Sequence, residues 1–278
     1  MDRAANAAGQ LVTESAHVGN SVAGLAASPA GRRSDATATV LDILLPVYHE
    51  QDNFARAIAE IEQHVPLPFR LLVIYDYEED PTVPVARAHA ATRPWIELVR
   101  NQEGRGVIGA LKTGVAACGP GPVLVTMADL SDDLSIVPRM LTLYRDGFDV
   151  VCPSRYMPGG RQLGGPRLKR LLSRLAGCSA YWFRGVPTHD ITNNFRMYCG
   201  VFLKSVKIES TGGFEFALEI TSKAFLAGRR ITELPTTWRD RTAGQSRFRL
   251  LRWLPRYLGW YLRLFRPRQK TNPAALAW

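Results

Sequence analysis

The sequence predicts an α/β protein with a mostly parallel central sheet flanked by helices. Three observations predict it. Apolar runs of strand length alternate with segments of helical spacing from about Val40 onward, the order that builds a parallel sheet. The runs are continuously apolar, as in "VLDILLPVY" and "FRLLVIYDY", which suits strands covered on both faces. Polar or glycine-rich chemistry follows each of the first four runs: "YHE", "DYEED", "NQEGRG" and "DLSDD". In such sheets ligands bind beyond the carboxyl ends of the strands.

The elements follow in order. "VLDILLPVY" (40–48) is a strand that runs into Pro46. Residues 52–64 place apolar side chains at 54, 57, 58 and 61, a helical spacing. A second strand covers 69–77, a helix 85–93, and a third strand 95–101. "GVIGALKTGVAAC" is a helix opened by a glycine turn, and "PVLVTMAD" (122–129) is the fourth strand. Helix 134–147, strand 148–156 and a glycine- and arginine-rich loop at 158–167 come next. Helix 168–185, strand 191–198, helix 214–228 and strand 229–238 complete the series. With no repeat and no linker, this reads as one domain over 39–247. A tail precedes it (1–38), rich in Ala, Gly and Ser and expected to be disordered. A helix at 248–268 and a short tail at 269–278 follow.

Bulk properties narrow the function. The 278 residues carry a net charge of +10, and ten basic residues against one acid lie between Arg239 and Lys270. The excess is therefore local and calls for an anionic partner. Nucleic acid is excluded as that partner by the lack of a helix-turn-helix, RNA-recognition or zinc module. The four cysteines are scattered without a CxxC, so neither a disulfide framework nor a zinc site is expected, and a reducing cytoplasm fits. No apolar run nears the roughly 20 residues of a membrane span.

"VTMADLSDD" (125–133) sets three carboxylates at the mouth of a buried strand. Aspartates there can hold a hard divalent cation such as Mg2+ or Mn2+, with substrate phosphates completing the shell. The alternative is that Asp132 or Asp133 simply caps the next helix. Glu215 and Glu219, one turn apart, read as a solvated helix face, His189 as structural, and Trp95, Trp182 and Trp238 as packing in core or pocket.

Seven segments together resemble glycosyltransferase family 2, and most closely its dolichyl-phosphate mannose synthase-like, polyprenyl-phosphate-using type. They are Pro46-Val47-Tyr48-His49-Glu50, Tyr75–Thr82, Asn101 with Gly104 and Gly106, Met127-Ala128-Asp129-Leu130-Ser131, Pro153-Ser154-Arg155-Tyr156, "DITNNFR" (190–196) and "RTAGQS" (241–246). The resemblance covers about residues 40–250 and implies the GT-A fold, Rossmann-like, and an inverting hexosyl transfer from a UDP- or GDP-sugar. It implies that Pro46, Tyr48, Glu50 and Asp76 line the base and ribose. Gly104, Gly106 and Ser246 belong to the same donor site, and Asp129 reaches the metal and diphosphate. Met127 stands where the family has its first metal-site aspartate, so Ser131 or Asp132 would make up the ligand set. Tyr75 and His49 also depart from the pattern, which leaves the preferred base open. A polyprenyl phosphate is already ionised and needs cations rather than a base, and Arg155, Arg196 and Arg241, with Arg247, are the candidates. A hydroxyl acceptor would instead need Asp132 or Asp190 as general base. A non-catalytic membrane-surface scaffold is the third reading.

At about 100° per residue, residues 247–268 place Arg249, Arg252, Arg256 and Arg263 on one face. Leu250, Leu251, Leu254, Leu258, Tyr261, Leu262 and Phe265 lie opposite, with Trp253 and Trp260 near the basic side. Such a helix is expected to lie in an anionic membrane surface, which would make the protein peripheral at the inner face.

Overall fold

The computed structural model describes Arg33 and residues 40–66, 68–212, 215–240 and 250–267, the last segment as backbone only for 250–253. The tails expected at 1–38 (Arg33 apart) and 269–278 lie outside the described residues, as do Arg241, Ser246 and Arg247.

The first half is a regular alternation. Strand β1 (Leu41–Pro46) leads to helix α1 (Gln51–His64), β2 (Phe69–Tyr75) to α2 (Thr82–Ala90), and β3 (Ile96–Arg100) to α3 (Val107–Ala117). Strand β4 (Pro122–Val125) is followed by a single 3-10 turn (Leu134–Ile136) and α4 (Val137–Arg145). Then come β5 (Val150–Ser154), β6 (Arg161–Leu163), α5 (Arg167–Arg184), β7 (Arg196–Cys199), α6 (Gly200–Ser205), α7 (Phe216–Leu226), β8 (Ile231–Pro235), β9 (Thr237–Arg239) and α8 (Leu250–Arg263).

Seven strands form one sheet in the order β3-β2-β1-β4-β7-β5-β8, and β6 pairs with β9 apart from it. All neighbours in the large sheet are parallel except β7, which runs against β4 and β5. The carboxyl ends of β1, β2, β3, β4, β5 and β8 therefore share one edge, where β7 begins at Arg196 opposite Val125. The central strands are dry: Leu41, Ile43, Leu44, Leu45, Leu71, Leu72, Val123, Leu124 and Val125 are fully buried. At about 1.5–3 kcal/mol per buried aliphatic side chain, this two-faced core outweighs any local preference.

The expected fold class holds, with five local differences. The strand expected at 191–198 shrinks to four residues, because Asn193 turns the chain by accepting the Phe195 amide. The strand expected at 229–238 is broken at Thr236 into β8 and β9, and the arginine-rich loop contains β6. Helix α6 was not foreseen. Glu215 and Glu219 are not solvated: both are buried, and Glu219 accepts from the Glu209 and Ser210 amides and from Lys223 Nζ.

Candidate active site

The sheet edge is built strand by strand. After β1, Pro46 and the half-exposed Tyr48 lead into His49, whose φ of 55° is unusual for a non-glycine residue. The turn is held because the His49 amide donates to both oxygens of buried Asp80, and the Glu50 amide donates to Thr82 Oγ1 at 2.8 Å. After β2, Asp76 receives Asn101 Nδ2 at 2.7 Å and the Gly106 amide at 2.9 Å. Asn101 Nδ2 also donates to the Gly104 carbonyl. Gly104 and Gly106 both have positive φ (93° and 106°), and a Cβ on Gly109 would sit 1.7 Å from the Gly104 oxygen. Glycine is thus required for the loop to close over Asp76. Around them Tyr48, His49, Tyr77 and Arg105 form an aromatic and cationic cluster, with His49 Nε2 2.8 Å from Tyr77 Oη and Arg105 over the Tyr77 ring. His49, Tyr77 and Arg105 were not among the expected site residues.

After β4 comes the acidic turn. Asp129 Oδ1 accepts from the Ser131 amide and, at 2.6 Å, from Ser131 Oγ. Between them Leu130 takes the left-handed conformation (φ 60°), and the Ser131 carbonyl accepts the Arg239 amide, so β9 pins the turn from outside. Asp132 Oδ2 accepts from Thr126 Oγ1 at 3.0 Å and from the Met127 amide. Burial first, then the neighbouring Asp129 charge, push the Asp132 carboxyl up to about 7 against these hydrogen bonds. Asp133 is the capping residue, accepting the Ser135 amide at the start of the 3-10 turn.

Asp129, Ser131 and Asp132 share a cavity of about 380 Å³ with Met127, Arg155, Tyr156, Lys169, Arg170, Asn193, Asn194, Trp238, Asp240, Leu254 and Tyr257. Arg155 reaches it from behind a buried ion pair. Its Nε and Nη2 donate to the two oxygens of Asp190 at 2.6 and 2.9 Å, and its amide also meets Asp190. Burial penalises both charges, yet their mutual attraction holds Asp190 below the usual carboxylate range and Arg155 above its own.

Two expected site residues stand elsewhere. Asp190 is fully buried, absent from the cavity wall, and occupied by Arg155, so it orients a cation rather than meeting an acceptor. Arg196 is also fully buried, and it donates to the Ala217 and Asp190 carbonyls and to Thr221 Oγ1. It braces β7 against α7 and faces no open space. His189 is structural, as expected, bound through amide and Nδ1 to Glu233 and stacked on Tyr181. Trp95 packs on Phe69 and Trp238 lines the cavity, whereas Trp182 is exposed. Lys169, Arg170, Asp240 and Tyr257 come to the cavity from three separate segments, and only the fold shows that they meet.

Oxygen donors suit a hard divalent cation. Asp129, Ser131 and Asp132 supply them at the acidic turn, and Asp240 lines the same cavity. Among the described residues no three His, Cys, Asp or Glu side chains gather closely enough to hold a metal alone. The oxygen donors of Asp129, Ser131 and Asp132 suit a cation that takes the rest of its shell from phosphate oxygens.

Residues 42–203 match the family model of glycosyl transferase family 2. The polyprenol monophosphomannose synthase of Mycolicibacterium smegmatis is 26% identical over 211 residues, 74% of this chain and 79% of that protein. The undecaprenyl-phosphate mannosyltransferase of Micrococcus luteus is 28% identical over 209 residues, 73% of this chain and 85% of its own. Among solved structures, a mannosyltransferase from Pyrobaculum calidifontis in complex with GDP-Man and Mn2+ superimposes with a TM-score of 0.55 at 15% identity. That match covers 82% of this chain and 61% of the Pyrobaculum chain.

Proposed function

This chain belongs to glycosyl transferase family 2 and is a glycosyltransferase, and from that premise we propose that it moves a hexose, mannose in the first instance, from a UDP- or GDP-sugar to polyprenyl phosphate with inversion at the anomeric carbon. The names of the relatives support the acceptor and the sugar. The observation that carries the reading is the make-up of one cavity. It is lined together by acidic and hydroxyl side chains (Asp129, Ser131, Asp132), by cationic ones (Arg155, Lys169, Arg170) and by apolar ones (Leu172, Ala176, Leu254). A phosphate on a hydrocarbon chain needs the last two kinds of surface, and a metal-bound diphosphate the first.

In this reading Pro46, Tyr48, Glu50, Asp76, Gly104 and Gly106 take the nucleoside at the ends of β1–β3. Asp129 leads the diphosphate end, and Ser131 and Asp132 complete an oxygen set that would hold Mg2+ or Mn2+. When bound, such a cation neutralises the charge that grows on the departing diphosphate. The bond between the anomeric carbon and the diphosphate oxygen breaks, and its electron pair leaves with the nucleotide. An acceptor phosphate oxygen forms the new bond from the opposite face. No base is required, because that oxygen is already ionised. Arg155, fixed by Asp190, and Lys169 and Arg170 orient the acceptor. Arg241 and Ser246, outside the described residues, belong to the phosphate side by their motif.

The acceptor is a lipid, and no helix among the described residues is long and apolar enough to cross a membrane. In this reading the protein meets that lipid from the membrane surface, attached peripherally, with the cytoplasmic face as the proposed side. The test is transfer of labelled sugar from GDP-mannose, GDP-glucose or UDP-glucose to a short, soluble polyprenyl phosphate with Mn2+. An acid-labile glycosyl phosphate of inverted configuration is expected, and Asp129→Asn, which keeps the Oδ1 acceptor for Ser131 but removes the charge, should lower kcat by about 10²–10³-fold with little change in melting temperature. Transfer to hydroxyl acceptors alone would overturn the reading.

A further inference from the structure

Apolar side chains left in water are unevenly distributed over this molecule. Among the described residues, nine of the thirteen large exposed hydrophobic ones lie on α5 and on α8 with its final turn. On α5, Leu168, Leu171, Leu175 and Trp182 are 53–75% exposed. At about 100° per residue they fall within an arc of about 60°. On α8, Leu254, Leu258, Leu262 and Phe265 are 42–57% exposed and fall within about 80°. A helix of a globular domain normally turns such a stripe inward; here the stripe faces out. The inward faces are instead built of Gly177 and Ala180 on α5, and of Tyr257, Trp260 and, just past its end, Leu264 on α8.

The two helices are fastened to each other. Ser179 Oγ lies 2.9 Å from Tyr261 Oη, and Arg184 donates to the carbonyls of Leu264 and Arg266, each at 2.6 Å. Their 32 residues hold eight arginines or lysines and no acid. Arg167 and Arg174 lie about 40° and 60° beyond one edge of the α5 stripe, and Arg266 lies about 40° beyond that of α8, while Arg256 and Arg263 take the opposite face of α8. The inner sides of the same pair wall the candidate cavity through Lys169, Arg170 and Ala176 of α5 and Leu254 and Tyr257 of α8.

We propose that α5 and α8 together form one membrane-docking platform that seats its two leucine stripes in an anionic bilayer and sets the cavity at the lipid surface. Charge chooses this occupant. A second copy would bring eight like charges against eight with no acid to offset them, whereas anionic headgroups meet the arginine margins directly. Apolar faces flanked by cations lie in the interface with the stripe about 5–10 Å below the headgroups. The C-terminal helix expected from sequence is thus only half of the attachment, and Trp260 is not one of its boundary anchors: it is buried, with Lys223 and Arg263 over its ring. The proposal rests on the lipid-acceptor reading for its purpose, but not for its test.

The test is co-sedimentation of the full chain with vesicles of phosphatidylcholine alone and with 30% phosphatidylglycerol. Binding to the anionic vesicles is expected, falling as salt rises. Leu171→Gln/Leu175→Gln/Trp182→Gln, confined to α5, should weaken it at least tenfold, as should Leu258→Gln/Leu262→Gln/Phe265→Gln on α8. These side chains lie off the cavity wall, so both variants should keep wild-type melting temperature and wild-type turnover of a soluble short-chain acceptor. Loss of binding in the α8 variant alone would overturn the two-helix platform. A dimer in sedimentation equilibrium that dissociates in the α5 variant, without vesicle binding by the wild type, would replace the membrane by a second copy. Vesicle binding without transfer to any polyprenyl phosphate would sink the acceptor reading and leave the platform standing.

Discussion

Asp190 shows what a single buried carboxylate does here. It is fully buried and holds Arg155 through both oxygens. Asp190→Asn would leave Arg155 charged and half-satisfied in the interior, a loss of about 3–5 kcal/mol. Urea unfolding at pH 7 measures it. The pH dependence has a definite sign. The folded carboxyl lies below its unfolded value near 3.9, so its stabilisation is complete above about pH 5 and disappears as pH falls through the folded value. The gap between wild type and Asp190→Asn should therefore narrow in acid. Met127 offers a gain instead. Its thioether sits on the wall that carries Asp129 and Asp132 and is a poor donor to a hard ion. Met127→Asp should enlarge the rise in melting temperature produced by Mn2+ with a nucleoside diphosphate; no increase would argue that this wall does not take the cation. Gly109→Ala should lower stability by more than the ordinary 0.5–1 kcal/mol of a helix glycine, here as a loss, since its Cβ would meet the Gly104 carbonyl.

At the scale of elements, periodicity located nearly every helix and strand but not their neighbours. The wheel of the C-terminal helix separated its basic and apolar sides, yet it could not say that part of the apolar side docks on the protein. Tyr257, Trp260 and Leu264 pack inward while Leu258 and Leu262 stay out. Removing residues after Leu250 would therefore strip a cavity wall and part of the core as well as the proposed anchor. We expect a loss of about 3–5 kcal/mol, or about 10 °C in melting temperature, so point substitutions on the outer stripe separate attachment from folding. Helix α7 carries the opposite lesson. Glu215 and Glu219 share the spacing of a solvated face, but the chain at 209–212 folds back and supplies the amides that bury them. The spacing within the helix holds no trace of acceptor demand from the loop just before it. Glu219→Ala should cost about 2–4 kcal/mol, because two amides and Lys223 would lose their acceptor.

At the scale of the whole molecule, the alternation of apolar runs was enough to place the site. The parallel strands bring Pro46, Asp76, Gly106 and Asp129 to one edge, as the continuous runs implied. The cavity was not legible in the same way. Lys169 and Arg170, Asp240, and Tyr257 lie 37 or more residues from Asp129 and Asp132, on elements whose direction no periodicity encodes. Strand direction was the missing information above all: "NNFRMY" carries the same apolar signal whichever way it runs. That is why Arg196, in a motif suited to phosphate, turned out to face α7.

The reversed strand β7 has a consequence for how the chain comes to be made. It is the sole link in the large sheet between β1–β4 and the pair β5 and β8, and it lies some 70 residues after the strand it completes. During synthesis the earlier strands can assemble on the ribosome, but Val123–Val125 keep a bare apolar border until Arg196–Cys199 have left the exit tunnel. Long-range closures of this kind are slow, and open borders invite pairing with other chains. Nascent chains arrested before that point should be the ones that chaperones hold and that aggregate when chaperones are scarce.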